Sequence, residues 1–211
     1  MSKYNIEMEI AGPFAMWSRP DTGATPTSYP VPTWSAVKGI FESIAFFRDG
    51  KAWIRPVKAE ICKPKGAIGS EITFQRYTNN YRGPLKAKNK VNFQLNALIL
   101  SEVCYRLYGV VENGRGKPLK NGDNPCHALQ AMFQRRLKKG QCYKTPSMGW
   151  NEFVPSYWGE IRPATEVDTD ITINMISVLK QTFDKVVGGS YGPEFSQKAN
   201  AVITRGVFCY D

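Results

Sequence analysis

Apolar side chains recur with a helical period in the stretch that follows two closely spaced prolines. Four of them stand at i, i+3, i+4 and i+7, on one face of a helix: Val37, Ile40, Phe41 and Ile44. Pro30 and Pro32 hold the approach extended, because each disfavours helical backbone in the residue before it. Thr33 then offers a hydroxyl that can cap the first amides. The pattern predicts a helix that begins after Thr33 and buries one apolar stripe.

A glycine, Gly39, stands in the middle of this predicted helix. Glycine there costs about 1 kcal/mol relative to alanine, so its presence needs a reason. It lets another backbone approach closely, and that backbone belongs either to a strand of the same chain or to a nucleic acid. The helical pattern alone favours packing against a strand of the same chain.

A second helix is predicted from Asn124–Pro125 to Lys139. Asparagine suits the capping position and proline the first helical position, while Gly140 suits the end. Its apolar stripe consists of Leu129, Met132, Phe133 and Leu137. Four cations crowd its last turns, more than the helix dipole requires: Arg135, Arg136, Lys138 and Lys139. This end of the helix is therefore a candidate site for phosphate contacts.

Alternating polar and apolar residues predict strands in the rest of the chain. The strands fall at residues 3–10, 52–62, within 68–82, in one or two pieces over 91–111, at 171–176 and at 201–210. Residues 68–82 are expected to form a projecting hairpin with its turn at Asn79–Asn80. The resulting order fits an α+β fold, a ferredoxin-like βαββαβ domain with an inserted β-hairpin.

Charge is distributed unevenly over the 211 residues, whose net charge is +10. Residues 51–150 hold 19 Lys and Arg against 5 Asp and Glu, whereas the other 111 residues hold 9 against 13. An electropositive surface of this kind suits a phosphate backbone. The alternative is the solvated surface of an ordinary basic protein.

Several function classes are disfavoured by composition. No apolar run reaches the length of a membrane span and residues 1–7 lack a signal-peptide core, so a cytoplasmic protein without membrane association is expected. The five cysteines are widely spaced and His127 is the single histidine, which argues against a zinc site and for free thiols. No cofactor is expected.

Aromatic residues alternate with arginines in the predicted hairpin. Such residues can stack on bases while holding phosphates, or they can cover the face of a surface hairpin. Arg19 begins a Pro- and Gly-rich loop, where it could clamp a phosphate or pair with a nearby acid. The candidate RNA-binding residues are Arg19, Lys38, Arg76, Tyr77, Tyr81, Arg82, Lys86, Lys88, Arg135, Arg136, Lys138 and Lys139.

Two separated blocks of sequence resemble a known family. The first comprises residues 12–20, 28–33 and 38–44; the second comprises residues 131–143 with Pro146, Gly149, Glu152 and Phe153. They resemble the CRISPR-associated Cas five proteins, most closely the type I-C branch, also called Cas five d.

The resemblance implies a domain plan and a set of partners. Residues 1–150 would form the RNA-binding domain, with a thumb hairpin near 68–90, and residues 151–211 a C-terminal β-rich extension. The implied role is a Cascade subunit in antiviral defence that grips the 5′ handle of the guide RNA. Its partners would be other Cascade subunits, including the backbone and large subunits, with target DNA contacted only through the complex.

Members of the type I-C branch also cut the precursor RNA without metal, using a tyrosine, a lysine and a histidine. In this chain Ala45 stands where the tyrosine is expected, and residues 124–129 differ in register from the expected Lys-His pair. His127 is the best remaining acid/base candidate, with Lys120 (or Lys117) to supply charge and Tyr29 to supply a hydrogen bond.

Three functions therefore stay open. The chain is a Cascade subunit that binds guide RNA, with or without cutting it; or a metal-independent endoribonuclease acting alone; or a general RNA-binding or regulatory protein of the same superfold. The second predicts cyclic-phosphate ends without magnesium, and the third predicts no preference for a repeat hairpin.

Overall fold

A computed structural model of the protein describes residues 4–69, 71–82, 92–114, 122, 124–181, 186–187, 190–191 and 196–210. Its helices are α1 (Trp34–Ile44) and α2 (Pro125–Lys138). Its strands are β1 (Asn5–Ala15), β2 (Ala52–Pro64), β3 (Phe74–Arg82), β4 (Asn92–Asn113), β5 (Tyr157–Gly159), β6 (Thr165–Val167), β7 (Ile173–Gln181), β8 (Val186–Val187), β9 (Ser190–Tyr191), β10 (Ser196–Ile203) and β11 (Val207–Cys209).

The main sheet is organised around the 22-residue strand β4. Its central strands run in the order β11-β2-β4-β1-β5, and all these neighbours pair antiparallel. β3 pairs with the N-terminal part of β4, residues 92–100, and β6 pairs with the C-terminal end of β2, residues 62–64. The predicted α+β class is confirmed, because two helices accompany a mostly antiparallel sheet.

Both helices begin where the sequence places a capping side chain. The Thr33 hydroxyl accepts a hydrogen bond from the Ala36 amide at 3.2 Å, and the Asn124 side chain accepts one from the Cys126 amide at 2.9 Å. The apolar stripes of α1 and α2 are buried and lie on one face of the sheet. Gly109 of β4 makes room for this packing, because a Cβ there would lie 2.8 Å from the Phe41 ring.

One predicted turn and one predicted strand are wrong. Asn79 and Asn80 lie within β3, paired with residues 95 and 94, so no turn is formed there. Residues 201–210, predicted as one strand, contribute to β10 and β11, which lie in different sheets. The chain turns between them at Arg205 and Gly206, whose φ angles are +50° and +75°.

Strands beyond residue 150 take part in the main sheet. β5 pairs with β1, whereas β6 and β11 pair with β2. β7 and β10 form a separate two-stranded sheet, as do β8 and β9. The division of the chain at residue 150 stays a prediction. Among the described residues, neither helix has the length and apolarity that crossing a membrane requires.

Candidate nucleic-acid interface

The sheet face opposite the helices carries a buried carboxylate, Glu9. In β1 it alternates with Met8 and Ile10, which lie in the core on the helix side. Its oxygens accept hydrogen bonds from Arg162 Nε at 2.5 Å and from the Thr165 hydroxyl at 2.6 Å. Burial opposes ionisation of Glu9, but these hydrogen bonds outweigh it and hold the pKa of the carboxyl below its usual value.

The partners of Glu9 come from three places: Arg162 lies between β5 and β6, Thr165 begins β6, and Arg106 belongs to β4. Arg106 of β4 lies 3.6 Å from Glu9 and donates to the Thr165 carbonyl at 2.6 Å. We call Glu9, Arg106, Arg162 and Thr165 the open-face network. Most of its polar groups bond one another, although the buried Arg106 Nε forms no hydrogen bond among the described residues. Arg162 and Thr165 thus cover this part of the sheet.

Other cations on the same face are also paired. Arg55 Nε lies 2.6 Å from Glu112, and Lys58 Nζ lies 2.5 Å from Glu60. Lys58 also stands over the Tyr108 ring, 4.2 Å from its centroid. These charges are therefore largely neutralised within the protein.

A different arrangement is found where the two helices end. The backbone amides of Tyr143 and Lys144 both donate to the Ser43 carbonyl of α1, at 2.8 and 2.9 Å. Arg136 of α2 donates to the Ile44 carbonyl at 2.6 Å. The loop after α2 is thus fixed to the last turn of α1.

An exposed aromatic ring stands on this fixed loop. The Tyr143 side chain is 55 % exposed; Arg48 donates to its hydroxyl at 3.0 Å, and Phe46 meets its ring edge-on at 4.8 Å. Exposed cations stand before and after it in the chain, on the last turns of α2 and at Lys144, and no ion pair among the described residues neutralises them. We call the following set the helix-end surface: Arg48, Arg135, Lys138, Lys139, Tyr143 and Lys144.

The four cations predicted on α2 have different roles. Arg135, Lys138 and Lys139 are exposed and belong to the helix-end surface. Arg136 is only half exposed, and its guanidinium caps the carbonyl end of α1. The first three are therefore available to an RNA phosphate, whereas Arg136 holds the two helices together.

The predicted hairpin residues lie partly outside the described residues. The Tyr77 ring contacts Phe153 and Trp150, with centroids 5.2 and 6.1 Å apart, so it anchors the hairpin to the loop after α2. Arg76 is exposed on β3. The side chains of Tyr81 and Arg82, and the whole of Lys86 and Lys88, are outside the described residues.

Two further candidates have partners within the chain. Arg19 forms a 2.8 Å ion pair with Asp21, the alternative that its sequence context left open. Lys38 lies 5.9 and 5.7 Å from the ring centroids of Trp34 and Trp53, and 3.6 Å from Glu42. Both contacts favour a structural role.

The structure does not bring the candidate catalytic residues together. Tyr29 is buried, which raises its pKa, and its hydroxyl accepts a hydrogen bond from the Leu179 amide at 3.3 Å. His127 is exposed in the first turn of α2. Lys120 lies outside the described residues, as does Lys117.

Ala45 and His127 also face different spaces. Ala45 lines a cavity of about 480 Å³ together with Phe46 and Leu129. His127 shares a helical face with Ala131, Gln134 and Lys138, which line a groove of about 1080 Å³ between α2 and β1. An acid/base role for His127 would therefore belong to this groove.

Sequence reasoning missed three residues of the helix-end surface: Arg48, Tyr143 and Lys144. In the sequence, Tyr143 is marked only as the last residue of the 131–143 block that resembles the Cas five family. The available signal was an aromatic residue and a lysine placed directly after a cationic helix end. Arg48 gave no local signal, since its contact with Tyr143 spans 95 positions.

Comparison with known proteins identifies relatives over most of the chain. Residues 5–193 match the Cas5d model of the family described as CRISPR-associated protein (Cas_Cas5). The chain is 28% identical over 157 residues to the CRISPR pre-crRNA endoribonuclease Cas5d of Thermus thermophilus, a match covering 72% of this chain and 62% of that protein. It thus spans less than two thirds of that relative's length. The Cas5d of Mannheimia succiniciproducens, of the same name, is 28% identical over 166 residues, covering 70% and 69%.

Solved structures share the fold. A crystal structure of a CRISPR-associated protein gives a TM-score of 0.65 at 15% identity, covering 100% of this chain and 92% of the other. A functionally uncharacterized Streptococcus mutans protein gives 0.62 at 18%, covering 100% and 93%. A chain of a CRISPR RNA-guided surveillance complex gives 0.54 at 12%, covering 97% and 91%.

Proposed function

Because the chain belongs to the CRISPR-associated Cas5 family, which its motifs already resemble, we propose that it is a type I Cascade subunit in antiviral defence. It binds the repeat-derived 5′ handle of the guide RNA. The observation that carries this proposal is the helix-end surface, where Arg135, Lys138 and Lys139 stand exposed at the end of α2 and Tyr143 stands exposed in the loop that follows. Cations that form no ion pair among the described residues, together with an exposed ring, are what phosphates and bases require.

The fold and the partners form part of the proposal. We assign the chain a ferredoxin-like βαββαβ domain with the β3–β4 hairpin as its thumb; the order β2-β4-β1-β5, with α1 and α2 on one face, supports this assignment. One structural neighbour is a chain of a CRISPR RNA-guided surveillance complex, and the proposed partners are other Cascade subunits, including the backbone and large subunits. Target DNA is then met only through the complex, in the cytoplasm.

The helix-end surface binds RNA by combining two kinds of contact. Lysine and arginine side chains neutralise successive phosphates, which gives affinity that falls with salt. Tyr143 stacks on a base, which gives affinity that salt affects little. The open-face network contributes neither, because Arg106 and Arg162 are both bound to groups of the chain and share the Glu9 carboxylate.

The experiment is a salt titration of repeat-RNA binding by an Arg135→Gln, Lys138→Gln, Lys139→Gln variant. The slope of log K against log salt is negative, and each lost phosphate contact reduces its magnitude by about 0.7 for single strands. The triple variant should therefore have a slope that is shallower by roughly 2. Arg136 is left unchanged because it caps α1. The exposed Arg205, changed to glutamine, is the matched control. Unchanged affinity and slope in the triple variant would reject this surface as the RNA site.

Metal-independent cutting of the precursor RNA is the second candidate function. The curated relatives are named pre-crRNA endoribonucleases, and His127 stands exposed on the groove side of α2. In this reaction His127 takes the proton from a ribose 2′-OH, the 2′ oxygen attacks the adjacent phosphorus, and the bond to the 5′ oxygen breaks while that oxygen takes a proton from water. The products are a 2′,3′-cyclic phosphate and a 5′-OH. Ala45, which offers no hydroxyl, makes binding the better supported function.

Incubation of purified protein with labelled repeat RNA tests this candidate. If the protein cuts, the activity should persist in EDTA and fall at least about a hundredfold in His127→Ala, as expected for a lost acid/base group. Binding should survive that change. Undiminished cutting by the variant would exclude His127, and no cutting by wild-type protein would leave binding as the function.

A further inference from the structure

Gly39 lies on the exposed side of α1, with open space where a side chain would be. No atom within 4 Å would meet a Cβ built there, apart from the helix's own backbone. Packing against a strand of the same chain, the interpretation favoured by the sequence, is therefore wrong. Gly39 therefore lowers the stability of the helix, and no packing within the chain explains why it is there.

A small cleft of about 250 Å³ opens at this glycine. Its lining includes Trp17, Gly39, Ser43, Lys144, Thr145 and Ser147. None of the described lining residues is acidic, and three carry hydroxyls. The space is smaller than a typical small-molecule site, about 300–1,000 Å³.

The walls of the cleft are fixed by backbone hydrogen bonds. Lys144 is bonded to α1 through the Ser43 carbonyl at 2.9 Å, and the Met16 amide donates to the Met148 carbonyl at 2.9 Å. Gly149, with φ +94°, allows this close approach, because a Cβ there would lie 1.8 Å from the Met16 oxygen. The cleft is thus formed before any ligand arrives.

We propose that this cleft holds a phosphate–ribose segment of single-stranded RNA, an inference that rests on the proposed function and specifies where the strand lies. The Lys144 ammonium provides a charge for one phosphate, and the hydroxyls of Thr145 and Ser147 can bond phosphate oxygens or a 2′-OH. Gly39 lines the cleft, where a side chain much longer than that of alanine would occupy the space of the strand. Lys144 also belongs to the helix-end surface, so one strand passes from α2 into the cleft.

Two substitutions of Gly39 separate a structural role from a binding role. Gly39→Ala should raise the melting temperature, because nothing obstructs its Cβ and alanine favours the helix. Its affinity for repeat RNA should stay within about threefold of wild type. Gly39→Gln keeps a good helix former but fills the cleft, and should weaken RNA binding at least about tenfold. Wild-type affinity of folded Gly39→Gln would overturn the proposal.

The other wall offers a second test if Gly39→Gln fails to fold. Lys144→Gln should lower the RNA affinity and make the salt slope shallower by about 0.7, the value for one phosphate. Ser147→Ala should lower the RNA affinity and leave the salt slope unchanged. Wild-type affinity of both variants would overturn the proposal as well.

The same titration separates this inference from the proposed function. If the Arg135, Lys138 and Lys139 variant loses affinity while the cleft variants do not, the protein binds RNA but not in the cleft. If wild-type protein binds no repeat RNA, both proposals fail. If folded Gly39→Gln binds RNA normally but no longer joins a Cascade complex, the cleft belongs to a protein partner and the RNA assignment is wrong.

Discussion

The open face of the sheet and the helix-end surface both carry several cations, but they use them differently. On the sheet face, Arg55, Lys58 and Arg162 each lie within 2.6 Å of a carboxylate of the same chain. At the helix ends, no described carboxylate pairs with Arg135 or Lys144. The two regions have similar numbers of cations. They differ in whether those cations are paired with carboxylates of the same chain.

The difference shows which polar groups stabilise the fold and which are left for a ligand. Desolvated charges contribute to stability only when they are paired, and a paired charge has little to offer a phosphate. Exposed cations lose little energy by remaining in water and gain when they release the counterions of RNA. The sheet face should therefore respond to mutation in stability, and the helix ends in RNA affinity.

The largest effect is expected from Glu9→Ala in the open-face network. Removing this carboxylate leaves Arg162 and Arg106 without their shared partner, which should cost about 3–5 kcal/mol in the free energy of unfolding. Urea denaturation measures it, with Glu71→Ala as an exposed control that should change stability by less than about 0.5 kcal/mol. A loss of similar size in both variants would remove the special role of Glu9.

The same carboxylate gives stability a pH dependence. Its folded-state pKa is lowered, so its contribution is fully present above the unfolded value of about 4.3 and is lost as pH falls through the folded pKa. Wild-type protein should therefore lose more stability on acidification below about pH 4.3 than the Glu9→Gln variant, because the amide at position 9 does not titrate. Parallel stability curves for the two proteins would contradict this assignment.

A smaller effect, in binding rather than stability, is expected from Tyr143→Ala at the helix ends. Loss of a stacking ring should weaken RNA binding by about 1–3 kcal/mol and leave the salt slope nearly unchanged. Tyr143→Phe keeps the ring but loses the hydrogen bond from Arg48, and should bind almost as wild type. If the phenylalanine variant were as weak as the alanine variant, the hydroxyl rather than the ring would matter.

The smallest effect is expected from Arg55→Gln on the sheet face. Its half-exposed ion pair with Glu112 should contribute at most about 1 kcal/mol to stability. The salt slope of RNA binding should not change, whereas Arg135→Gln should lower it by about 0.7. Equal slopes for these two arginine variants would mean that the two regions are not distinguished by RNA.

Local features of the fold could be predicted from the sequence. The start of α1 at Thr33 and that of α2 at Asn124 follow from side chains that bond amides two or three residues away. The α+β class follows from the order of such elements. The turn at Asn79–Asn80 failed because pairing with β4 overrides the local preference of asparagine for turns.

Distant partners explain what could not be predicted. Glu9 looks like a solvent-facing residue of an alternating strand, yet it is buried because Arg162, 153 positions later, covers it. Arg136 looks like a phosphate-binding cation, but its partner is the Ile44 carbonyl, 92 positions away. Only the fold shows which cations are already bonded and which are left for RNA.

The most direct test of where RNA lies is photo-crosslinking of a repeat RNA that carries 4-thiouridine, followed by mass spectrometry of the linked peptides. Crosslinks are expected within residues 131–149, at the end of α2 and in the loop that carries Tyr143 and Lys144. Crosslinks concentrated in residues 104–112 and 157–165, on the open face of the sheet, would contradict RNA binding at the helix ends.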